Sequence, residues 1–124
     1  MDHFKQYNDA HGHLAGDEVL KILARILRDC NRSTSVCARY GGEEFVVLIP
    51  EANRKGAFVV AERVRGMVEL HPFPGRETQP LGAVTISLGV ASYPADGEDG
   101  LALIGRADRA LYEAKQKGRN RVCQ

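Results

Sequence analysis

Apolar residues recur along this chain at two different periods, and the switches between them mark out its elements. Val19, Leu20, Ile22, Leu23, Ile26, Leu27 and Cys30 return at helical spacing, which predicts a helix with that face buried, opening near Gly16-Asp17. Asp17 suits such an opening, because a carboxylate accepts backbone N–H bonds and opposes the helix dipole. Phe4 to Ala10, ahead of it, reads as a short helix or turn. Val36 to Tyr40 and Glu44 to Pro50 are β-prone runs separated by Gly41-Gly42. They predict a hairpin in which the two glycines take positive φ at the turn and Pro50 closes the second strand. A second helix carries Ala57, Val60, Ala61, Val64, Met67 and Val68 on one stripe, with Arg54, Glu62, Arg63 and Glu69 on its wetter sides.

After the breakers His71 to Arg76 and a loop from Glu77 to Gly82, Val84 to Ser92 alternates as a strand. Gly89 inside it marks either a bulge or a close approach of another backbone. Tyr93 to Gly97 is a turn. Leu101, Ile104, Ala107, Ala110, Leu111 and Ala114 then describe a last amphipathic helix ending at Lys115-Gln116-Lys117-Gly118, where cations and glycine suit a C-terminus.

With 124 residues and no repeat, low-complexity run or linker, the chain is expected to be one domain, 1–124, of α+β class. Lys and Arg number 17 against 16 Asp and Glu, a formal charge of +1, which gives no electrostatic case for nucleic-acid binding. Local basic residues rather than bulk charge must handle any phosphate. Cys30, Cys37 and Cys123 have no Cys-x-x-Cys spacing, so a reducing cytoplasm fits better than a disulfide or zinc framework, and Cys30 belongs to the helix core. No apolar run approaches the roughly 20 residues that cross a bilayer, so no membrane contact is expected from this segment.

Two segments carry polar chemistry beyond what folding requires. In Arg39-Tyr40-Gly41-Gly42-Glu43-Glu44-Phe45 the glycines leave room for a phosphate chain against the backbone, and an adjacent carboxylate suits a divalent metal. Magnesium takes carboxylate and phosphate oxygens together. Strand alternation sends Glu43 and Glu44 to opposite faces unless the backbone is bent, so one of them faces a site beside the turn. The bland alternative is a hairpin tip with solvated acids. In the stretch from Asp2 to Asp17, Asn8 offers donors and an acceptor while Asp17 is acceptor-only, a pair suited to the N1–H and N2 amino donors of guanine. Lys5 is a mobile charge able to reach phosphate. His11 and His13 look like a metal pair, but without a third ligand such residues are more often hydrogen-bonded at the surface.

The stretches DHFKQYNDAHGHLAGD, RYGGEEF, VTISLGVA and ADRALYEAKQKGRN, in that order and spacing, resemble the GGDEF-type diguanylate cyclases over the whole chain. That resemblance implies an α+β fold with a central, mostly antiparallel sheet flanked by helices. It implies condensation of two GTP into cyclic di-GMP with release of pyrophosphate by a homodimer, using Mg2+ or Mn2+, in bacterial second-messenger signalling under an upstream sensory domain. By the same resemblance Asn8 and Asp17 read guanine, His13 lies against the nucleotide, Gly41 and Gly42 admit the phosphates, and Lys5 steadies phosphates or transition state. Glu43 is metal ligand and base for the 3′-hydroxyl, and Glu44 and the Met1 backbone carbonyl are further metal ligands. Lys115 and Arg119 match the phosphate-binding pair. Taken alone, Lys115, Lys117, Arg119 and Arg121 would read as helix-end charges.

Two departures qualify the match. Asp2 matches the second aspartate of the family's Asp-apolar-Asp motif and Met1 the position between, so the first metal aspartate and the strand before it are absent from this chain. It therefore reads as a domain missing its N-terminal portion and first strand, expected to turn over weakly or not at all by itself. The alternative is a catalytically silent GTP- or cyclic di-GMP-binding module. Arg32-Ser33-Thr34-Ser35 stands where many members carry the Arg-x-x-Asp inhibitory site. Ser35 lacks the charge of that aspartate, so product binding there is expected to be weak.

Overall fold

The computed structural model describes all 124 residues, Met1 to Gln124. Four helices and two short strand pairs make up an α+β domain: α1 (Phe4–His11), α2 (His13–Asp29), β1 (Val36–Gly41), β2 (Glu44–Leu48), α3 (Arg54–Leu70), β3 (Leu88–Gly89), α4 (Gly100–Gln116) and β4 (Val122–Cys123). None of the helices is long and apolar enough to cross a membrane.

The central helix begins earlier than its apolar pattern indicates. Gly12, at φ 84, separates α1 from α2, a conformation that disfavours residues with a Cβ. Asp17 consequently lies inside α2 and does not cap it. The expected face is buried nonetheless: Val19, Leu20, Leu23, Ile26 and Leu27 point inward. Val19, Leu23, Ile26 and Leu27 meet Tyr7, Val64, Val68, Phe73, Val84 and Ile86 in one core, and each such fully buried apolar side chain is worth about 1.5–3 kcal/mol. Cys30 joins this core, its thiol 3.3 Å from the Met67 sulfur. α3 starts where Asn53 accepts the Gly56 N–H at 2.8 Å, and α4 where Asp99 accepts that of Ala102 at 2.8 Å. Both are N-caps of ordinary chemistry. At the start of α4 the expected stripe fails: Leu101 is 85% exposed and Ile104 37%, and burial sets in only at Ala110 and Ala114.

β1 and β2 pair antiparallel, as expected, but the glycines divide their work differently. Gly41 pairs with Glu44, so the turn residues are Gly42 and Glu43, and only Gly42 takes positive φ. The register slips between Arg39 and Gly41, leaving Tyr40 as an extra residue that bends the strand locally.

The run from Val84 to Ser92 is not a continuous strand. Only Leu88 and Gly89 are in a ladder, paired in parallel with Val122 and Cys123 of β4. That C-terminal strand was not apparent from the residue pattern. Val84, Thr85 and Ile86 are buried without regular pairing, and the bond alongside them is from Asp2 N–H to Thr85 carbonyl at 2.9 Å. A ladder needs partner backbone, and here a single neighbouring residue supplies it. The sheet is thus two separate two-stranded pieces. Gly89 marks a close backbone approach: a Cβ there would lie 1.9 Å from the Ala107 carbonyl oxygen of α4.

Candidate functional site

At the α1–α2 junction, Asn8 is half-buried and its Oδ1 is enclosed without a hydrogen-bond partner. Gly16 makes this possible, since a Cβ there would stand 1.8 Å from that oxygen. A buried polar atom left unpaired costs about 1–3 kcal/mol, so the junction carries an open demand for hydrogen bonding. Asp17, exposed on the next residue, lines a groove between α2 and the hairpin together with Leu20, Lys21, Arg39 and Phe45. Lys5 and His13 are exposed and make no internal hydrogen bond or ion pair. His11 is engaged with Thr78 Oγ1 at 2.9 Å and packs on the Tyr7 ring, which is the hydrogen-bonded role expected of it.

The hairpin turn meets the N-terminus and the end of α4. The Met1 ammonium donates to the Glu43 carbonyl at 3.0 Å, and Lys115 Nζ lies 3.6 Å from a Glu44 carboxylate oxygen. Burial lowers the Met1 amine's pKa, against the attraction of Asp2 and Glu43 that raises it. Arg39 Nε donates to the Gly42 carbonyl at 2.8 Å and so braces the turn from within the hairpin. Glu43 is half-buried and Glu44 exposed. The Lys115–Glu44 pair is itself substantially open to solvent. Such pairs are worth little, which leaves Lys115 ready to exchange partners.

Three residues beyond α4, Gly118, Arg119 and Asn120, have φ of 107, 63 and 46. Arg119 is half-buried and its guanidinium has no internal hydrogen bond or ion pair. The residues that hold this turn escaped sequence reasoning. Asp2 is 2% exposed and accepts from Thr85 Oγ1 at 2.9 Å, Ser87 Oγ at 2.7 Å and Asn120 N–H at 3.1 Å. Only the tolerance of asparagine for left-handed backbone, next to Gly118, hinted at Asn120. Arg32 and Ser35 sit elsewhere, in a depression shared with Asn31, Asn53 and Arg63. Ser35 N–H bonds the Arg32 carbonyl at 2.9 Å, and the Ser35 hydroxyl is buried without a partner.

No three His, Cys, Asp or Glu side chains converge as a ready metal cage. Glu43 and Glu44 are hard oxygen donors beside the exposed Gly41 and Gly42, and that donor chemistry fits magnesium, which completes its shell with other oxygens rather than with an all-protein cage.

The family model described as "Diguanylate cyclase, GGDEF domain" matches residues 1–121. Diguanylate cyclase A of Treponema denticola is 47% identical over 124 residues, covering 98% of this chain and 32% of that protein. This chain thus spans about a third of the length of that curated relative. Among solved structures, the active GGEEF domain of a diguanylate cyclase from Vibrio cholerae superposes with a TM-score of 0.86 at 36% identity, covering 98% of this chain and 76% of that one. The GGDEF domain of DgcB from Caulobacter crescentus, solved in complex with c-di-GMP, gives 0.85 at 36% identity, with 98% and 71% covered.

Proposed function

The chain belongs to the diguanylate cyclase GGDEF-domain family, and we propose that it binds GTP and, facing a second such domain, condenses two GTP into cyclic di-GMP. Each 3′-oxygen attacks the α-phosphorus of the other nucleotide. A new P–O bond forms, the bond to the bridging α,β-oxygen breaks, and each GTP releases one pyrophosphate. Because one domain holds one substrate, the reaction calls for a homodimer, and the greater length of the relatives leaves room for a controlling domain.

The observation that carries this reading is that the carboxylate turn receives Lys115 at Glu44 and Met1 at the Glu43 carbonyl, residues drawn from the two ends of the chain. A triphosphate needs this mixture of cations, carboxylates and open backbone. Asn8 and Asp17 take the guanine edge, His13 lies against the nucleotide, and Gly41 and Gly42 let phosphate approach the turn. Lys5, Lys115 and Arg119 offset phosphate charge. Glu43 accepts the proton of the attacking hydroxyl. Glu43, Glu44 and the Met1 carbonyl would hold Mg2+ or Mn2+, which supplies charge stabilisation and a more acidic hydroxyl. Arg32 with Ser35 offers the product only half of a charged recognition pair, so Ser35→Asp is expected to tighten cyclic di-GMP binding.

A second reading, a guanine-nucleotide-binding module without turnover, is favoured by one observation: the enclosed, unpartnered Asn8 Oδ1 and the exposed Asp17 on the neighbouring helix suit base recognition, which needs no turnover. The same experiment separates the two. GTP and ATP are titrated calorimetrically with magnesium, and cyclic di-GMP is followed by chromatography in the parent, Asp17→Asn and Glu43→Gln proteins. The cyclase reading expects product that vanishes in Glu43→Gln, and a GTP preference lost in Asp17→Asn. GTP binding with no product, both in the parent and in a version extended upstream by a strand ending in aspartate, supports the silent module. Equal affinity for GTP and ATP in the parent refutes both.

A further inference from the structure

Consecutive non-glycine residues in the left-handed region persist only where the surroundings over-determine them, and Arg119 and Asn120 are such a pair. The surroundings here are specific. Asp2 accepts the Asn120 N–H. The Asn120 amide is gripped on both sides by α3: its Nδ2 donates to Glu69 Oε1 at 2.8 Å, and its Oδ1 accepts from Arg65 Nη1 at 2.9 Å. Arg65 in turn bonds Glu69 at 2.8 Å and Glu62 at 3.0 Å, closing a ring of complementary charges around one neutral side chain. From the other direction, Arg119 N–H bonds the Ala114 carbonyl at 3.0 Å and Arg121 Nε bonds the Arg119 carbonyl at 3.0 Å. The backbone of Arg119 is therefore tied at every side while its guanidinium is left free.

Asp2 extends the arrangement to the hairpin. Its neighbour Met1 donates to the Glu43 carbonyl, so residues 1–2 bond both the carboxylate turn and the turn that carries Arg119. A change at Asn120 thus reaches Arg119 first.

We infer that Asn120, held by Asp2, Glu69 and Arg65, is a positioning residue that aims Arg119 at the phosphates of the bound nucleotide. The inference rests on the GTP-binding reading above, and it assigns to residues outside the nucleotide contacts the task of setting where the phosphate cation stands.

The test is a double-mutant cycle read by calorimetric titration of the whole chain with GTP and magnesium, with guanosine as a second probe. Asn120→Gly keeps the left-handed backbone accessible while deleting the amide grip. It is expected to weaken GTP about tenfold, the loss typical of one charge-assisted contact, and to leave guanosine unchanged. Arg119→Ala is expected to weaken GTP by at least as much. Adding Asn120→Gly to Arg119→Ala is expected to cost nothing further, since a residue that acts through another is silent once that other is gone. Additive losses, or an equal loss for guanosine, would mean that Asn120 serves stability alone and would overturn the inference. An unaltered GTP affinity in Arg119→Ala would instead remove the phosphate role of Arg119, and the inference with it, while the guanine-reading residues stand or fall separately by Asp17→Asn. If Asn120→Gly does not fold, Glu69→Ala cuts the same grip from α3, and the same cycle decides.

Discussion

The two strand pairs of this domain are held in opposite ways. β1 and β2 form the longer ladder, joined by a two-residue turn, yet most of β1 is exposed and the pair is defined by its own residues. β3 and β4 have two residues each and come from distant parts of the chain. Even so, Leu88 N–H and Val90 N–H bond the Arg121 and Cys123 carbonyls at 2.9 and 2.8 Å, the β3 backbone lies against α4, and the Asp2 network flanks both strands. Ladder length is a poor guide to how firmly an element is tied. What matters is how many other elements close on it.

A pair of matched glycine substitutions is expected to separate the two strand pairs most strongly. Gly89→Ala would push a Cβ to 1.9 Å from the Ala107 carbonyl oxygen and 2.4 Å from the Leu111 nitrogen. Backbone cannot yield as a side-chain tip does, so a loss of about 3 kcal/mol or more is expected in urea unfolding. Gly41→Ala, with nothing within 4 Å and no positive φ, is expected to shift stability by less than about 0.5 kcal/mol. Equal effects would dissolve the contrast.

Asp2→Ala removes the acceptor for Thr85, Ser87 and Asn120 in a site that is 2% exposed. Stranding buried donors costs about 1–3 kcal/mol. A loss of about 2 kcal/mol is expected in chemical denaturation, and hydrogen exchange should quicken around β3 and β4 before it does in the hairpin. A uniform change in exchange would show that the two pairs are not independent.

Within the hairpin, Gly42→Ala forces a Cβ onto φ 47, which is expected to cost about 1 kcal/mol. The shift in melting temperature is the measurement, and a neutral result would mean that the turn relaxes freely.

The smallest effect concerns pH. Arg65, and after it Asn120, hold the Glu69 carboxyl below its ordinary value. The stabilisation is therefore complete above the normal glutamate range and is lost as pH falls through the lowered folded value. The group is partly exposed, so a few tenths of a kcal/mol is the expected size. Urea midpoints at pH 6 and pH 3, compared between parent and Glu69→Gln, check it: the parent is expected to lose slightly more on acidification.

Much of the fold was legible because its signals are local. The buried face of α2, the hairpin, the stripe of α3 and the close approach at Gly89 each follow from residues near one another in the chain. The candidate site was legible for a different reason. Asn8, Asp17, Glu43, Glu44, Lys115 and Arg119 sit in recognisable motifs, and the structure brings Glu44 to Lys115. Asp2, Arg39 and Asn120 lie in the same motifs, but their bonding roles escaped, as did that of Arg65, because each acts through a partner that spacing alone does not name. A buried aspartate at position 2 looks the same in sequence as an exposed one.

The helices, the turn and the residue types available for chemistry follow from short segments, because periodicity, glycine freedom and donor inventory are local properties. Which strand segments find a ladder, where α2 begins, which part of the α4 stripe is covered and how Arg119 is held are settled by packing between distant segments. Those depend on which distant backbone and side-chain groups arrive alongside, and a hydrogen bond or buried contact exists only when both partners are present.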